Sequence, residues 1–259
     1  MVKIDERAVV CKGAELGVDV EIGPYAYVGE NVVIGDRCKI YPHAVIDGWT
    51  KIGNDCKIFP FASIGMAPQD IKYKNEPTEL VIGDRNTIRE YVTINRGTST
   101  GRGKTIIGND NFIMTSCHIA HDCKLSNGIV MANLATLAGH VEVDDYAVIG
   151  GFTAVHQFVK IGTLAMVGGA SAVAQDVAPF TIVSGNRAKL YGLNLVGIKR
   201  RGIEGERLES LKKAYRLIFK SKLTIAEAKE AIEKQGLLKD EVEILINFIL
   251  NSSRGVIRW

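Results

Sequence analysis

The sequence predicts a mainly β molecule, a parallel β-helix of hexapeptide repeats over residues 1–186, followed by a small α-helical domain over 187–259. Three observations carry this. An aliphatic residue recurs at every sixth position, from Ile4, Val10, Leu16 and Ile22 by unbroken sixes to Ile64. Glycine is abundant, 27 residues, and often follows the aliphatic, as at Gly17, Gly23, Gly29 and Gly35. Aromatic residues are only 7% of the chain. A period of six fits neither an amphipathic helix nor a lone strand, but it fits a coil whose flat faces each take one hexad. A thin prism of stacked aliphatics has little room for rings, which explains their scarcity.

Hexads of this kind resemble the left-handed triangular β-helix, with three hexads to a coil. The place two before each aliphatic then points inward and must be small. It holds Ala26, Val32, Cys38, Ala44, Thr50, Cys56 and Ala62, and later Cys117, Cys123, Ala135, Val141, Ala147, Thr153, Ala165 and Ser171. Residues 65–81 are a polar, Pro-containing excursion from the prism. The step resumes at Ile82, Ile88 and Ile94, and a second excursion covers 95–106. After a one-residue slip the step runs from Ile107 to Val173. Loops on a rigid scaffold are where binding residues tend to sit. From about Gly202 the period turns helical, with Leu208, Leu211, Ala214, Tyr215 and Ile218 on one face. Thr224 with Glu227 reads as a capping box, Gly236 as a stop, and Asp240–Ser252 as a last helix.

Apolar residues are 46% and charged residues 24%, which excludes intrinsic disorder. The net charge of +3 is too small to argue for nucleic acid. It hides a split of −4 on residues 1–186 and +7 on 187–259, so the basic tail suits an acidic partner. Five cysteines in a chain this long suggest reduced thiols and a cytoplasmic setting. Asp5, Glu6 and Arg7 interrupt any signal peptide, and the longest uncharged run, Ile161–Gln175, is shorter than the about 18 residues a membrane span needs.

Cys117, His118, His121 and Cys123 look at first like a metal site, but the register points the cysteines inward and the histidines outward, so no metal is expected. His121, His140 and His156 fall about one coil apart and should line one edge of the prism beside the two excursions. Imidazole titrates near neutrality, so such a column suits proton transfer. Asp122 adjoins His121 and could orient it. Gly139 offers a backbone N–H that could polarise a carbonyl.

The runs His118-Ile-Ala-His121-Asp122-Cys123, Ala132 to His140 and Gly150 to Phe158 closely resemble the UDP-N-acetylglucosamine O-acyltransferases, which catalyse the first step of lipid A biosynthesis. Pro68-Gln69-Asp70, Ile88-Arg89-Glu90, Asn95-Arg96-Gly97 and Leu193 to Gly202 share the likeness, so it spans essentially the whole chain. The resemblance implies a cytoplasmic homotrimer with active sites between neighbouring prisms. It implies transfer of a 3-hydroxyacyl chain from acyl carrier protein to the 3-hydroxyl of UDP-N-acetylglucosamine, with no cofactor beyond the carrier's phosphopantetheine thioester. His121 would be the general base, Asp122 its support and Gly139 N–H the oxyanion donor. Gln69, Asp70, His118, His140, His156 and Gln157 would position substrates, and Asn194 and Arg200 the uridine diphosphate. Met166, Gly169 and Arg187 would line the acyl groove, Gly169 leaving it open for a long chain. Val196 departs from members with an acidic residue there. Besides a non-catalytic trimeric scaffold, two alternatives stand beside this. One is the same transfer to a 3-amino sugar. The other is a γ-type carbonic anhydrase, which needs two histidines of one chain about five apart, whereas His118 and His121 are three apart.

Overall fold

A computed structural model describes all 259 residues. The architecture is a left-handed parallel β-helix whose short strands stack into three parallel sheets, here faces A, B and C. The register steps by one coil, Ile4 pairing with Ile22 on face A, Val10 with Val28 on B and Leu16 with Ile34 on C. The sixth-position aliphatics form the buried core from Ile22 onward, whereas Ile4 at the open first coil is 48% exposed.

The inward small places are filled as expected. The four cysteines among them donate to a corner carbonyl of the next coil: Cys38 Sγ to Gly53 O (3.0 Å), Cys56 to Gly83 O (3.1 Å), Cys117 to Ala132 O (3.1 Å) and Cys123 to Ala138 O (3.2 Å). All five cysteines are free, and burial pushes the Cys117 thiol up to about 11 and that of Cys123 up to about 12. The Cys117 and Cys123 thiols therefore stay protonated and are poor nucleophiles.

Most corners turn through a left-handed residue. Tyr25, His43, Phe61, Tyr91, Leu134 and Phe152 mark the A–B corner, Asp122, His140 and Phe158 the B–C corner, and Tyr146 and Leu164 the C–A corner, all with positive φ. The unusual backbone of Asp122 and His140 therefore belongs to the turn rather than to chemistry.

The excursions are shorter than the sequence suggests. Strands Ser63–Met66, Glu79–Ile82, Thr93–Asn95 and Lys104–Ile107 extend the ladder into both, leaving loops over 67–78 and 96–103. The extra pairs place Leu80 and Thr105 inward, both fully buried. The expected boundary at 186/187 falls within an antiparallel hairpin, Thr181–Ser184 with Lys189–Leu193, that ends face A. Helices begin only at α1 (Leu195–Arg200), unforeseen from sequence, followed by α2 (Gly205–Tyr215), which runs on as a π turn to Lys220, α3 (Ile225–Lys234) and α4 (Asp240–Leu250). Thr224 and Glu227 close the predicted capping box. The last residues return to the prism, where Ser252 Oγ donates to Asp176 Oδ2 (2.6 Å) and Ile257 N to Asp176 O (2.8 Å). No helix is long and apolar enough to cross a membrane.

Candidate active site

His121 and Asp122 sit at the B–C corner between strands His118–Ile119 and Lys124–Leu125. His121 Nδ1 lies 2.9 Å from Asp122 Oδ2, which fixes the ring with Nε2 as its free nitrogen. The Asp122 side chain is fully buried, and the second loop supplies its partners. Thr98 Oγ1 donates at 2.6 Å to Oδ2, and the Thr98 and Arg102 backbone N–H groups donate at 3.1 and 2.9 Å. Burial is the largest influence on this carboxyl and would raise it. The hydrogen bonds from His121 and Thr98, with the field of His140, outweigh burial and hold it below the usual range.

His140 stands one coil on, 3.9 Å from Asp122 Oδ2 through Nε2, edge-on to His121 (5.2 Å between rings) and stacked on Phe158 at 4.4 Å. His118 faces outward on B, bonded through Nδ1 to Thr93 Oγ1 at 2.7 Å. Burial lowers both His118 and His140, keeping them neutral hydrogen-bonding groups at physiological pH. Gly139 lies directly against the His121 ring: a Cβ there would stand 2.7 Å from Cε1 and 2.8 Å from Nε2. Gly139→Ala is thus expected to displace the ring and lower kcat by about 10²-fold with little change in melting temperature, checked by steady-state kinetics and calorimetry.

Above the pair opens a cleft of about 560 Å³ lined by Gln69, Asp70, Ile71, Lys72, Thr100, His121, His140, Gln157 and Phe158. The structure thus gathers His121, Asp122, Gly139, His140, Gln69, Asp70 and Gln157. Thr98 and Phe158 are additions that sequence reasoning missed. A larger hollow of about 760 Å³, at the first coils around Ile4 and Tyr41, holds a lysine–glutamate row and no acid–base pair.

Other expected residues lie elsewhere. His156 is near the same corner but contacts Arg254 Nη2 at 3.2 Å rather than His140. Asn194 is a structural cap, its Oδ1 accepting from Gly197 N (3.0 Å) and its Nδ2 donating to Leu164 O (2.9 Å). It anchors α1, which carries Arg200, at the C–A corner. Met166 lies on face A, and Gly169 and Arg187 are exposed. None of these reaches His121 within one chain. His121, Asp122 and His140 offer ligand atoms within 4.8 Å of one another. Yet the carboxylate oxygens are taken by Thr98, Arg102 and His121, whose Nδ1 is spent in turn, so the set suits proton transfer better than a cation.

The chain is similar to known proteins along its whole length. Residues 176–257 match the family model described as UDP N-acetylglucosamine O-acyltransferase, domain 2, and 13–48 match bacterial transferase hexapeptide repeats. An acyl-[acyl-carrier-protein]–UDP-N-acetylglucosamine O-acyltransferase of Thermodesulfovibrio yellowstonii is 53% identical, and one of Alkalilimnicola ehrlichii 52%, each over 100% of both chains. The solved UDP-N-acetylglucosamine acyltransferase of Campylobacter jejuni superposes with a TM-score of 0.94 at 45% identity, covering 99% of this chain and 100% of that one.

Proposed function

The chain belongs to the acyl-[acyl-carrier-protein]–UDP-N-acetylglucosamine O-acyltransferases, and we propose that it performs their transfer, the first step of lipid A biosynthesis, with His121 as general base. The observation that carries this role is the His121–Asp122 pair, its free nitrogen turned to Gly139 beneath Gln69 and Asp70. His121 Nε2 takes the proton of the sugar 3-hydroxyl as that oxygen attacks the thioester carbonyl of a 3-hydroxyacyl chain. The Gly139 N–H meets the oxyanion that forms, and Asp122 stabilises the imidazolium. The C–S bond then breaks, and the departing pantetheine thiolate recovers the proton from His121. The carrier's thioester is the only co-substrate required, and no metal or other cofactor enters. Free thiols suit a reducing cytoplasm, and the basic tail suits the acidic carrier.

Assay with one acyl carrier thioester and both UDP-sugars tests the acceptor. Ester formed on the 3-hydroxyl supports the proposal, and amide formed only on the 3-amino analogue overturns it.

A homotrimer accounts for the scattered residues. Along face A the outward side chains turn apolar, through Phe112, Val130, Val148, Met166 and Ile182, whereas face B carries the small Thr136, Ala154 and Ala172. Face A of one prism set toward face B of the next, in parallel, makes a head-to-tail ring that closes on a three-fold axis. That arrangement brings the C–A corner, with Arg200, beside the neighbour's B–C corner, with His121. The acyl groove of Met166 and Gly169 then runs between the two faces. The A–B corners meet at the axis, which explains the exposed Tyr91 (55%) and Phe152 (70%) there. Phe152→Glu is expected to lower the mass in light scattering from three times 28.2 kDa to one, with loss of activity. An active trimeric variant would remove Phe152 from the axis.

A further inference from the structure

Asn95-Arg96-Gly97 has no role in the chemistry so far, yet Arg96 occupies a purpose-shaped seat. Its side chain is only 9% exposed as a residue, and its guanidinium carbon lies 5.6 Å from the Trp49 ring and 5.4 Å from that of Tyr73. Arg96 Nη1 donates to Gly65 O at 2.9 Å, while Nε and Nη2 donate to Tyr73 Oη at 3.1 and 2.7 Å. Gly48, at φ +65°, makes room, since a Cβ there would stand 2.8 Å from Nη1. The partners are a carbonyl, a phenol and two rings rather than a carboxylate, an unusual setting for a buried cation.

The contacts join the two loops over the cleft. Tyr73 belongs to the first loop, where its hydroxyl donates to Glu76 O (2.6 Å), and Glu76 Oε1 in turn accepts from Ser99 Oγ of the second (2.8 Å). The first loop brings Gln69 and Asp70 to the cleft, and the second brings Thr98 and Arg102 to Asp122. We propose that Arg96 is a positioning residue that, through Tyr73, sets the spacing between the acceptor-sugar side of the site and the His121–Asp122 pair. The proposal rests on the acyl-transfer function above. Without the clasp, the first loop would have to be ordered by substrate, which costs binding energy and alignment.

Tyr73→Phe, Arg96→Lys and the double variant test it. Lysine keeps the charge but loses the planar fork. Tyr73→Phe should raise KM for the UDP-sugar and lower kcat, reducing kcat/KM by about 10–100-fold. KM for acyl carrier protein should stay at its wild-type value, while the melting temperature falls because Arg96 Nε and Nη2 lose their acceptor. The double variant should be no worse than Arg96→Lys alone, because one linkage is broken twice. Wild-type kinetics in Tyr73→Phe, or losses that multiply in the double variant, would overturn the proposal. If Arg96→Lys does not fold, Tyr73→Phe alone decides. Absence of acyl transfer by the wild-type enzyme would instead sink the function on which the proposal rests.

Discussion

Replacing His121 by alanine is expected to lower kcat by about 10²–10⁴-fold, the range typical of losing a positioned general base. KM for both substrates and the melting temperature should change little. The ring lies on the corner surface with its side chain 17% exposed, so its removal opens no core cavity, and Asp122 keeps its bonds to Thr98 and Arg102. Steady-state kinetics with circular dichroism checks both halves. The parallel control is Cys117→Ala, whose buried, protonated thiol donates to a carbonyl of the wall. That variant should retain activity, and no acylated enzyme should be detected by mass spectrometry. Wild-type kcat in His121→Ala would remove the base from this residue.

The prism was legible from residues 1–186 because its physics is local and repeated. Each hexad must place one aliphatic inward and one small residue beside it, so a single step of six sets the pairing of Ile22 with Ile40 as firmly as that of Val148 with Met166. The excursions were legible as interruptions but not at their edges. Residues 79–81 read as loop because Leu80 is larger than the usual inward residue, yet Leu80 pairs with Thr50 and is fully buried. Helix α1 escaped notice because six residues leave too short a pattern for a 3.6-residue period, although Asn194 ahead of them is an N-cap signal.

The site was legible where side-chain type carried it, and hidden where the backbone did. The order of His121, Asp122 and His140 along the repeat already put them on one edge. The groups that hold Asp122, the Thr98 and Arg102 N–H groups, leave no mark on composition. They come from a loop whose path no periodicity describes. The C–A corner position of Arg200 follows from α1 docking through Asn194 and Leu164, a contact across 30 residues. Hence residues that the family resemblance unites in one site stand on two corners of one prism.

Asp122→Asn is expected to lower both activity and stability, and the two losses have different pH signatures. An amide nitrogen cannot accept from Thr98 Oγ1 and competes with His121 Nδ1–H. The ring then loses its tautomeric guide, and kcat should fall by about 10²–10⁴-fold. The buried Thr98 hydroxyl and the His121 Nδ1–H, which lose Oδ2 as acceptor, should cost about 1–3 kcal/mol at neutral pH, while Arg102 N keeps the amide oxygen. The native carboxyl is held below its unfolded value. Its contribution is therefore fully present above the unfolded value of about 3.9 and fades as pH falls through the native one. Asparagine does not titrate, so the urea-midpoint gap between wild type and Asp122→Asn should stay constant from about pH 8 to 5 and narrow below about pH 4. A gap that persists unchanged at pH 3 would mean that the ionised form of Asp122 gains nothing from its four donors. The orientation of His121 would then have to come from Gly139 and the corner alone.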